Sequence, residues 1–100
     1  MMIILNDIKE FEWDNANIDK NQSKHNITWF ECEQIFFNKP LLLLEDQKHS
    51  ITEARYYAYG ITDEGKFLTI VFTIRGYKIR VISARPMSRK EKRCYENPKI

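Results

Sequence analysis

The first part of the chain alternates apolar and polar positions in a way that predicts a short strand and then a polar helix. The alternation favours a strand over residues 9–13. Asp14 follows it and is placed to cap a helix over residues 15–24, because an aspartate oxygen can accept hydrogen bonds from the free amides of a helix start. His25 suits the end of that helix, where a positive charge is favoured.

A second helix is marked more strongly. Thr28 and Glu31 have the spacing of a capping box, in which a hydroxyl and a carboxylate satisfy amides at the helix start. Pro40 ends this helix, because proline disfavours helical geometry in the residue before it. Apolar residues recur between these limits at helical spacing: Trp29, Cys32, Ile35 and Phe36. Such a stripe is typical of a helix face that packs on a core.

The rest of the chain predicts four strands and one more helix. The strands are expected over residues 41–44, 55–61, 67–74 and 78–84. Gly65 supplies the positive φ that a tight hairpin turn requires. Ser88 and Glu91 form another capping box, which opens a helix that continues to Glu96. The order β-α-α-β-β-β-β-α predicts one α+β domain over residues 1–100, with an antiparallel sheet packed by helices.

Strict alternation divides the last strand into two faces. One face would carry Tyr77, Ile79, Val81, Ser83 and Arg85, and the other would carry Lys78, Arg80, Ile82 and Ala84. This prediction places Arg80 and Arg85 on opposite sides of the sheet. Either face could pack on the helices and leave the other for solvent or a ligand.

Composition narrows the class of protein. The chain has 100 residues, of which 43% are hydrophobic and 30% charged, as in ordinary soluble globular proteins. Its longest apolar runs, residues 1–5 and 41–44, are much shorter than the roughly 20 residues that span a bilayer. The start lacks the basic residues and the cleavage site of a secretory signal. The sequence therefore argues against a membrane or secreted protein and favours the cytoplasm.

The two cysteines, Cys32 and Cys94, form no CxxC pair and no cluster with histidine. A structural zinc site or a disulfide framework is therefore not expected. Both cysteines are predicted to be free thiols, and a single bridge between them stays open as the alternative.

The net charge of +2 conceals a strong asymmetry. Residues 75–93 hold eight basic residues and one acidic residue, whereas residues 1–74 hold seven basic and twelve acidic ones. Such a segment suits a polyanion, although a solvated basic helix is the plainer alternative. Arg89 and Lys90 lie in the first turn of the last helix, where cations oppose the helix dipole. A phosphate bound at this helix start would relieve the conflict.

His49 lies in a polar loop, with Asp46 before it and Glu53 four residues after it. An imidazole titrates near neutrality, so His49 and Glu53 are acid/base candidates. With an arginine they would suffice for metal-free RNA cleavage: a base takes the ribose 2′-OH proton, the arginine stabilises the charged phosphorane, and an acid protonates the leaving oxygen. The spacing matches no standard metal-ligand pattern, and no cofactor motif is present.

Tyrosines lie among the cations of the sequence. Tyr95, on the basic helix, is a candidate for stacking an unpaired nucleobase, with core packing as an equal alternative. For Tyr56, Tyr57 and Tyr59, sheet packing is the favoured interpretation, because tyrosine is a good strand residue.

Several motifs together resemble the BrnT family of type II toxins. In chain order they are the FEWD string of residues 11–14, Asn21 with Lys24-His25, the D-x-x-H-S string of residues 46–50, Glu53-Ala54-Arg55, Gly60, Arg75-Gly76, the IRVISAR string of residues 79–85, and Glu91 with Tyr95-Glu96. The similarity runs from residue 11 to residue 96. FEWD combined with I-R-x-I-S-A-R is quite specific.

The resemblance implies a RelE-like fold and a ribonuclease toxin that arrests translation. It also implies a BrnA-like antitoxin with a ribbon-helix-helix part, through which the pair binds the operator DNA of its own promoter. Arg75 and Arg85 are then expected to contact phosphate and the transition state, with Arg80 as a further candidate beside His49 and Glu53. Contacts to the RNA backbone or to a base are expected from Lys20, Arg89, Lys90 and Tyr95.

The chain departs from the family pattern at two positions. Asn17 stands where the family has lysine, and Asn26 stands where it has glycine. Asn26 is a mild change, because asparagine tolerates left-handed backbone geometry. Lys20, one turn after Asn17, could supply the missing cation. The alternative is a catalytically inactive binding module that acts as antitoxin partner and co-repressor, and a third possibility is a stand-alone nucleic-acid-binding domain.

Overall fold

The structure is a computed structural model that describes residues 10–14, 25–46 and 53–97. Its elements are β1 (Glu10–Glu12), α1 (Trp29–Phe37), β2 (Leu42–Asp46), β3 (Arg55–Ile61), β4 (Phe67–Arg75), β5 (Lys78–Pro86) and α2 (Arg89–Glu96). The predicted α+β class and the order of these elements are confirmed. In this described part of the chain, no helix combines the length and apolar character that crossing a membrane requires.

The predicted helix over residues 15–24 lies outside the described residues. Immediately after them, His25 is helical and Asn26 has a φ of 54°. Asn26 therefore adopts the left-handed backbone that its side chain tolerates. At the hairpin between β3 and β4, Gly65 has the expected positive φ, at 87°.

The five strands form one sheet in the order β1-β5-β4-β3-β2. The pairs from β2 to β5 are antiparallel, as predicted, but β1 pairs with β5 in parallel. A parallel pair needs a long crossover, and here almost the whole domain lies between the two strands in sequence. The sheet is therefore mixed, with a parallel pair at the β1 edge and antiparallel pairs elsewhere. The sequence pattern did not predict the parallel pair.

One side of the sheet, which we call the helix face, packs against α1. Phe36 of α1 meets Phe72 of β4 edge to face, with ring centroids 5.2 Å apart. The buried cluster on this side consists of Ile27, Cys32, Ile35, Ala58, Leu68, Ile70, Phe72, Ile79, Val81 and Ala84. Cys32, Ile35 and Phe36 of the stripe predicted on α1 therefore face the core, whereas Trp29 is 43% exposed.

A β-bulge in β5 corrects the predicted division of that strand. Phe72 is paired with Val81, but the preceding residue of β4, Val71, is paired with Ser83. Ile82 is the extra residue, and it reverses the alternation of side chains beyond it. Ala84 is consequently buried in the helix face with Val81, and Arg85 lies on the opposite side, together with Arg80. The prediction that these two arginines point apart is wrong for this reason.

We call the side of the sheet opposite α1 the arginine face. Cross-strand partners point to the same side of a sheet, so the register identifies its members. Thr73 is paired with Arg80 and Thr69 with Arg85, while Arg75 lies two residues beyond Thr73 on the same side of β4. Three candidate arginines from two strands therefore share one surface.

Both predicted capping boxes are present. In α1, the Thr28 N–H donates to Glu31 Oε1 at 3.0 Å, and the Glu31 N–H donates to Thr28 Oγ1 at 3.3 Å. Glu31 is buried and also accepts from Lys66 Nζ at 2.7 Å. Burial raises the pKa of Glu31, but the hydrogen bonds from Lys66 and Thr28 outweigh it and leave the pKa below its ordinary value. The cap therefore also ties α1 to the β3–β4 hairpin.

The two cysteines are free thiols, as predicted. Cys32 is fully buried in the core and Cys94 is exposed on α2. Burial raises the pKa of Cys32 to about 12, with the charges of Glu31 and Glu33 acting in the same direction. Cys32 therefore stays protonated and packs as an apolar side chain.

Gly60 of β3 lies so close to Ile35 of α1 that the effect of adding one methyl group there can be predicted. A Cβ on Gly60 would lie 2.8 Å from Ile35 Cβ and 3.2 Å from the Ile35 carbonyl oxygen, so α1 would have to move. We expect Gly60→Ala to lower the free energy of unfolding by about 1–3 kcal/mol in urea denaturation. Glu64→Ala, at an exposed turn position, is the control. Equal stability of the two variants would contradict this packing.

Candidate active site

Arg75 and Glu53, both predicted as site residues, contact each other directly. Arg75 Nε donates to Glu53 Oε2 at 2.9 Å, and Glu12 Oε2 lies 3.7 Å from Arg75 Nη1. About half of the Arg75 side chain is exposed, so the guanidinium remains accessible from solvent. The hydrogen bond from Arg75 lowers the pKa of Glu53 below its ordinary value. Glu53 is therefore ionised at neutral pH and can accept a proton.

Arg80 is held by the two acidic residues of the FEWD string, Glu12 and Asp14, of which Asp14 was predicted as a helix cap. Arg80 Nη1 donates to Glu12 Oε2 at 3.1 Å, and Nη2 donates to Asp14 Oδ2 at 2.8 Å. Glu12 is paired with Arg80 across the parallel β1–β5 ladder, which places both side chains on the arginine face. The alternation of Glu12 and Asp14 was the signal in the sequence, but their partner depends on the strand pairing.

Arg85 forms a short ion pair with Glu91 of α2. The two guanidinium nitrogens donate to the two carboxylate oxygens at 2.6 and 2.7 Å. Glu91 Oε1 also accepts from the Thr69 hydroxyl at 3.0 Å and from the Ser88 N–H at 2.9 Å. Burial raises the pKa of Glu91, but the hydrogen bonds from Arg85, Ser88 and Thr69 prevail and bring it to about 2. The carboxylate is therefore charged at all ordinary pH values.

Glu91 also supplies the negative charge that the start of α2 was expected to need. From the sequence, a phosphate was expected to relieve the conflict of Arg89 and Lys90 with the helix dipole. In the structure, Glu91 supplies a negative charge in the first turn, and the Ser88 hydroxyl accepts from the Glu91 N–H at 3.1 Å. Arg89 and Lys90 are exposed beside this cap. The chain thus places its own carboxylate where an anion was expected.

Tyr95 is not placed as the stacking role requires. It is 6% exposed, its hydroxyl donates to the Pro40 carbonyl at 2.5 Å, and its ring packs edge to face against Phe67. This burial argues against the predicted contact with a nucleobase and identifies Tyr95 as the anchor of α2. Two other predicted site residues, Lys20 and His49, lie outside the described residues.

The contacts of Glu91 predict how stability depends on pH. Glu91→Gln keeps the capping-box pattern and removes the charge. Because the folded pKa, about 2, is below the ordinary 4.5, the charge stabilises the fold above pH 4.5 and this stabilisation is lost as the pH falls toward 2. We expect the free energy of unfolding of the variant to be about 1–3 kcal/mol lower than that of wild type at pH 7. This difference in stability should disappear in acid.

Chemical denaturation across this pH range is the measurement. Glu96→Gln, at an exposed position of the same helix, is expected to change stability by less than about 0.5 kcal/mol at every pH. A gap for Glu91→Gln that stays constant with pH would exclude the charge of Glu91 as its cause.

Comparison with known proteins agrees with the sequence motifs. A family model described as ribonuclease toxin, BrnT, of type II toxin-antitoxin system matches residues 13–91. No curated protein matches the chain. Among solved structures, the chain is similar to the ribonuclease toxin BrnT of Brucella abortus, at 18% sequence identity and a TM-score of 0.59, over 80% of this chain and 97% of that one.

At 18% identity the structural similarity concerns the fold, and it supports the mixed α+β architecture. The family match is the stronger finding for identity, because it covers most of the chain, including all three arginines and Glu91. This protein belongs to the BrnT family of ribonuclease toxins of type II toxin-antitoxin systems.

Proposed function

We propose that this protein is a metal-independent endoribonuclease that cleaves RNA and blocks translation. The observation that carries the proposal is the presence of Arg75, Arg80 and Arg85 on one side of the sheet. A guanidinium binds phosphate through two parallel hydrogen bonds, and three of them on one surface suit successive phosphates of a single RNA strand.

The chemistry needs a base, an acid and a group that stabilises the phosphorane. We assign Glu53 as the base that takes the 2′-OH proton, because its carboxylate lies beside Arg75 and is ionised at neutral pH, which excludes it as the acid. Arg75, in contact with Glu53, is placed to stabilise charge that develops on the phosphate. His49 remains the candidate acid. Lys20, Arg89 and Lys90 are the candidates for holding the RNA backbone.

The toxin is proposed to act in the cytoplasm with a cognate antitoxin of the BrnA-like, ribbon-helix-helix type. The antitoxin would neutralise the ribonuclease, and the complex would bind operator DNA through the antitoxin. Support comes from membership of a type II toxin-antitoxin family, in which a toxin is encoded with its antitoxin.

Replacing the arginines tests the proposal. We expect Arg75→Ala to abolish growth arrest and to lower RNA cleavage by the purified protein by about 100-fold or more, because a contact to the transition-state charge is lost. Arg85→Ala combined with Glu91→Gln should have the same effect without leaving the buried carboxylate unpaired. Growth after induction and fragmentation of total RNA are measured, and cleavage is expected to persist in EDTA.

Lys39→Ala, at an exposed cation between α1 and β2, is the matched control and should retain full toxicity. All variants should fold and co-purify with the antitoxin. Growth arrest by both arginine variants at wild-type expression would remove these residues from the mechanism, and loss of cleavage in EDTA would contradict a metal-independent reaction.

The ion pairs on the arginine face favour a second candidate function. Arg75, Arg80 and Arg85 are each already paired with a carboxylate of the chain. A surface neutralised in this way also fits a catalytically inactive module that binds the antitoxin and acts as co-repressor. The asparagine at position 17, where the family has lysine, points in the same direction.

Asn17→Lys separates the two candidates. If the chain is an active ribonuclease, wild type arrests growth by itself. The added cation then makes the slope of the logarithm of the RNA-binding constant against the logarithm of salt concentration steeper by about one. Growth is followed at matched expression, and binding is measured by fluorescence anisotropy over a range of salt concentrations. A wild type that leaves growth unchanged, together with a variant that arrests it, would instead establish the inactive module.

A further inference from the structure

The middle of the arginine face is an aromatic and apolar row between two sets of cations. Leu44 is paired with Tyr57, Tyr57 with Val71, and Val71 with Ser83, so these four side chains lie side by side across four strands. Leu44 is 36% exposed and the other three are partly exposed. We call this set the Tyr57 row.

Val71 is partly exposed, so none of the described residues closes the arginine face at this row. Val71 lies on β4, the central strand, where a covering layer would bury it. The neighbouring residues on the same side of β4, Thr69 and Thr73, are 0% and 1% exposed. Val71 and Ser83 are short, whereas the residues on either side along β5, Arg80 and Arg85, are long. The row is therefore the floor of a trough with Tyr57 standing in it.

Along β5, Arg85 lies on one side of the trough and Arg80 on the other. The row on one side contains Thr69 and Arg85, and the row on the other contains Thr73 and Arg80. Thr69 and Thr73 are four residues apart on β4, which corresponds to about 14 Å. Consecutive phosphates of one RNA strand lie closer together than this, so the spacing fits two nucleotides, with one base over the trough and a phosphate toward each arginine.

Tyr57 is held in place before any ligand arrives. Burial raises the pKa of Tyr57, and the charge of Asp46 and a side-chain hydrogen bond with it act in the same direction. The Tyr57 ring also packs beside Tyr59, with centroids 6.4 Å apart. A ring fixed in this way loses little conformational entropy when a flat ligand stacks on it.

We propose that the Tyr57 row is a binding subsite for one unpaired nucleobase of RNA, with the Tyr57 ring as the stacking surface and the Ser83 hydroxyl as a hydrogen-bonding partner for the base edge. Exposed aromatic rings on an open sheet face bind single-stranded RNA by this type of contact. The inference rests on the proposed ribonuclease function and names what that site recognises beyond phosphate.

The other tyrosines that line this surface do not fit the role. Tyr59 is 8% exposed and Tyr95 is 6% exposed, since α2 covers that end of the face. Tyr77 is 69% exposed, but it lies in the turn between β4 and β5, away from the trough. Tyr77 therefore serves as a matched control for an exposed tyrosine without a site.

The experiment measures binding separately from cleavage. The full chain is titrated into a short fluorescent single-stranded oligonucleotide with 2′-O-methyl riboses, which lacks the nucleophile for cleavage, and anisotropy gives the Kd. We expect Tyr57→Leu to raise the Kd between about 5-fold and 100-fold, with an unchanged salt slope because no charge is removed. Tyr77→Leu should bind as wild type does. Tyr57→Phe keeps the stacking ring and loses only the hydrogen bond with Asp46, so it should bind much closer to wild type than Tyr57→Leu does. A base-free oligonucleotide of equal length should not distinguish wild type from Tyr57→Leu.

A second variant covers the case in which Tyr57→Leu fails to fold in thermal unfolding. Tyr57→Trp keeps a stacking ring, and its added fluorescence should be quenched when the oligonucleotide binds, whereas the fluorescence added by Tyr77→Trp should not. Absence of this quenching, or an unchanged Kd for folded Tyr57→Leu, overturns the subsite. Wild type that fails to bind the oligonucleotide overturns it as well and favours a protein partner at this surface.

The outcomes also separate the subsite from the proposed function. If wild type does not cleave RNA but binds the oligonucleotide in a Tyr57-dependent way, the ribonuclease proposal fails and the subsite stands. If wild type cleaves RNA and Tyr57→Leu cleaves and binds equally well, the subsite fails and the ribonuclease proposal stands.

Discussion

The extra residue in β5 is the constraint on which the whole surface depends. Because Ile82 is inserted between the pairs formed by Val81 and Ser83, the side-chain alternation of β5 reverses. Without this bulge, Arg85 would point into the core beside α1, where an unpaired guanidinium could not be accommodated. With it, Ala84 fills the core and Arg85 joins Arg80 on the opposite face. One residue thus serves both the packing of the core and the assembly of the site.

Arg75, Arg80 and Arg85 are each oriented by a carboxylate that lies outside their own strand. The partners come from β1, from the segment before β3 and from α2. Such pairs add little stability where they are exposed, and the pair between Arg85 and the mostly buried Glu91 is the strongest of them. Their consequence is chiefly geometric: the guanidinium groups are held ready for a planar anion, and that anion must compete with a carboxylate.

The α2 helix limits the surface at one end. Its capping carboxylate contacts the sheet, and Tyr95 anchors it to the chain before β2. This docking covers Tyr59 and leaves the row of Tyr57 and Val71 accessible. The basic residues Arg89 and Lys90 are exposed at the start of this helix, where they suit a polyanion that extends beyond the arginine face.

The sequence by itself determined the local elements and the family. Capping boxes at Thr28 and Ser88, the turn at Gly65 and the four later strands follow from short-range rules, because each depends on contacts within a few residues. Only the tertiary structure decided three further features: the parallel pairing of β1, the bulge at Ile82 and the carboxylate partners of the arginines. The strand pairing and the bulge depend on which strand lies alongside, because a one-residue change of register exchanges the two faces of a sheet. The carboxylate partners depend on how β1, the segment before β3 and α2 pack on that sheet.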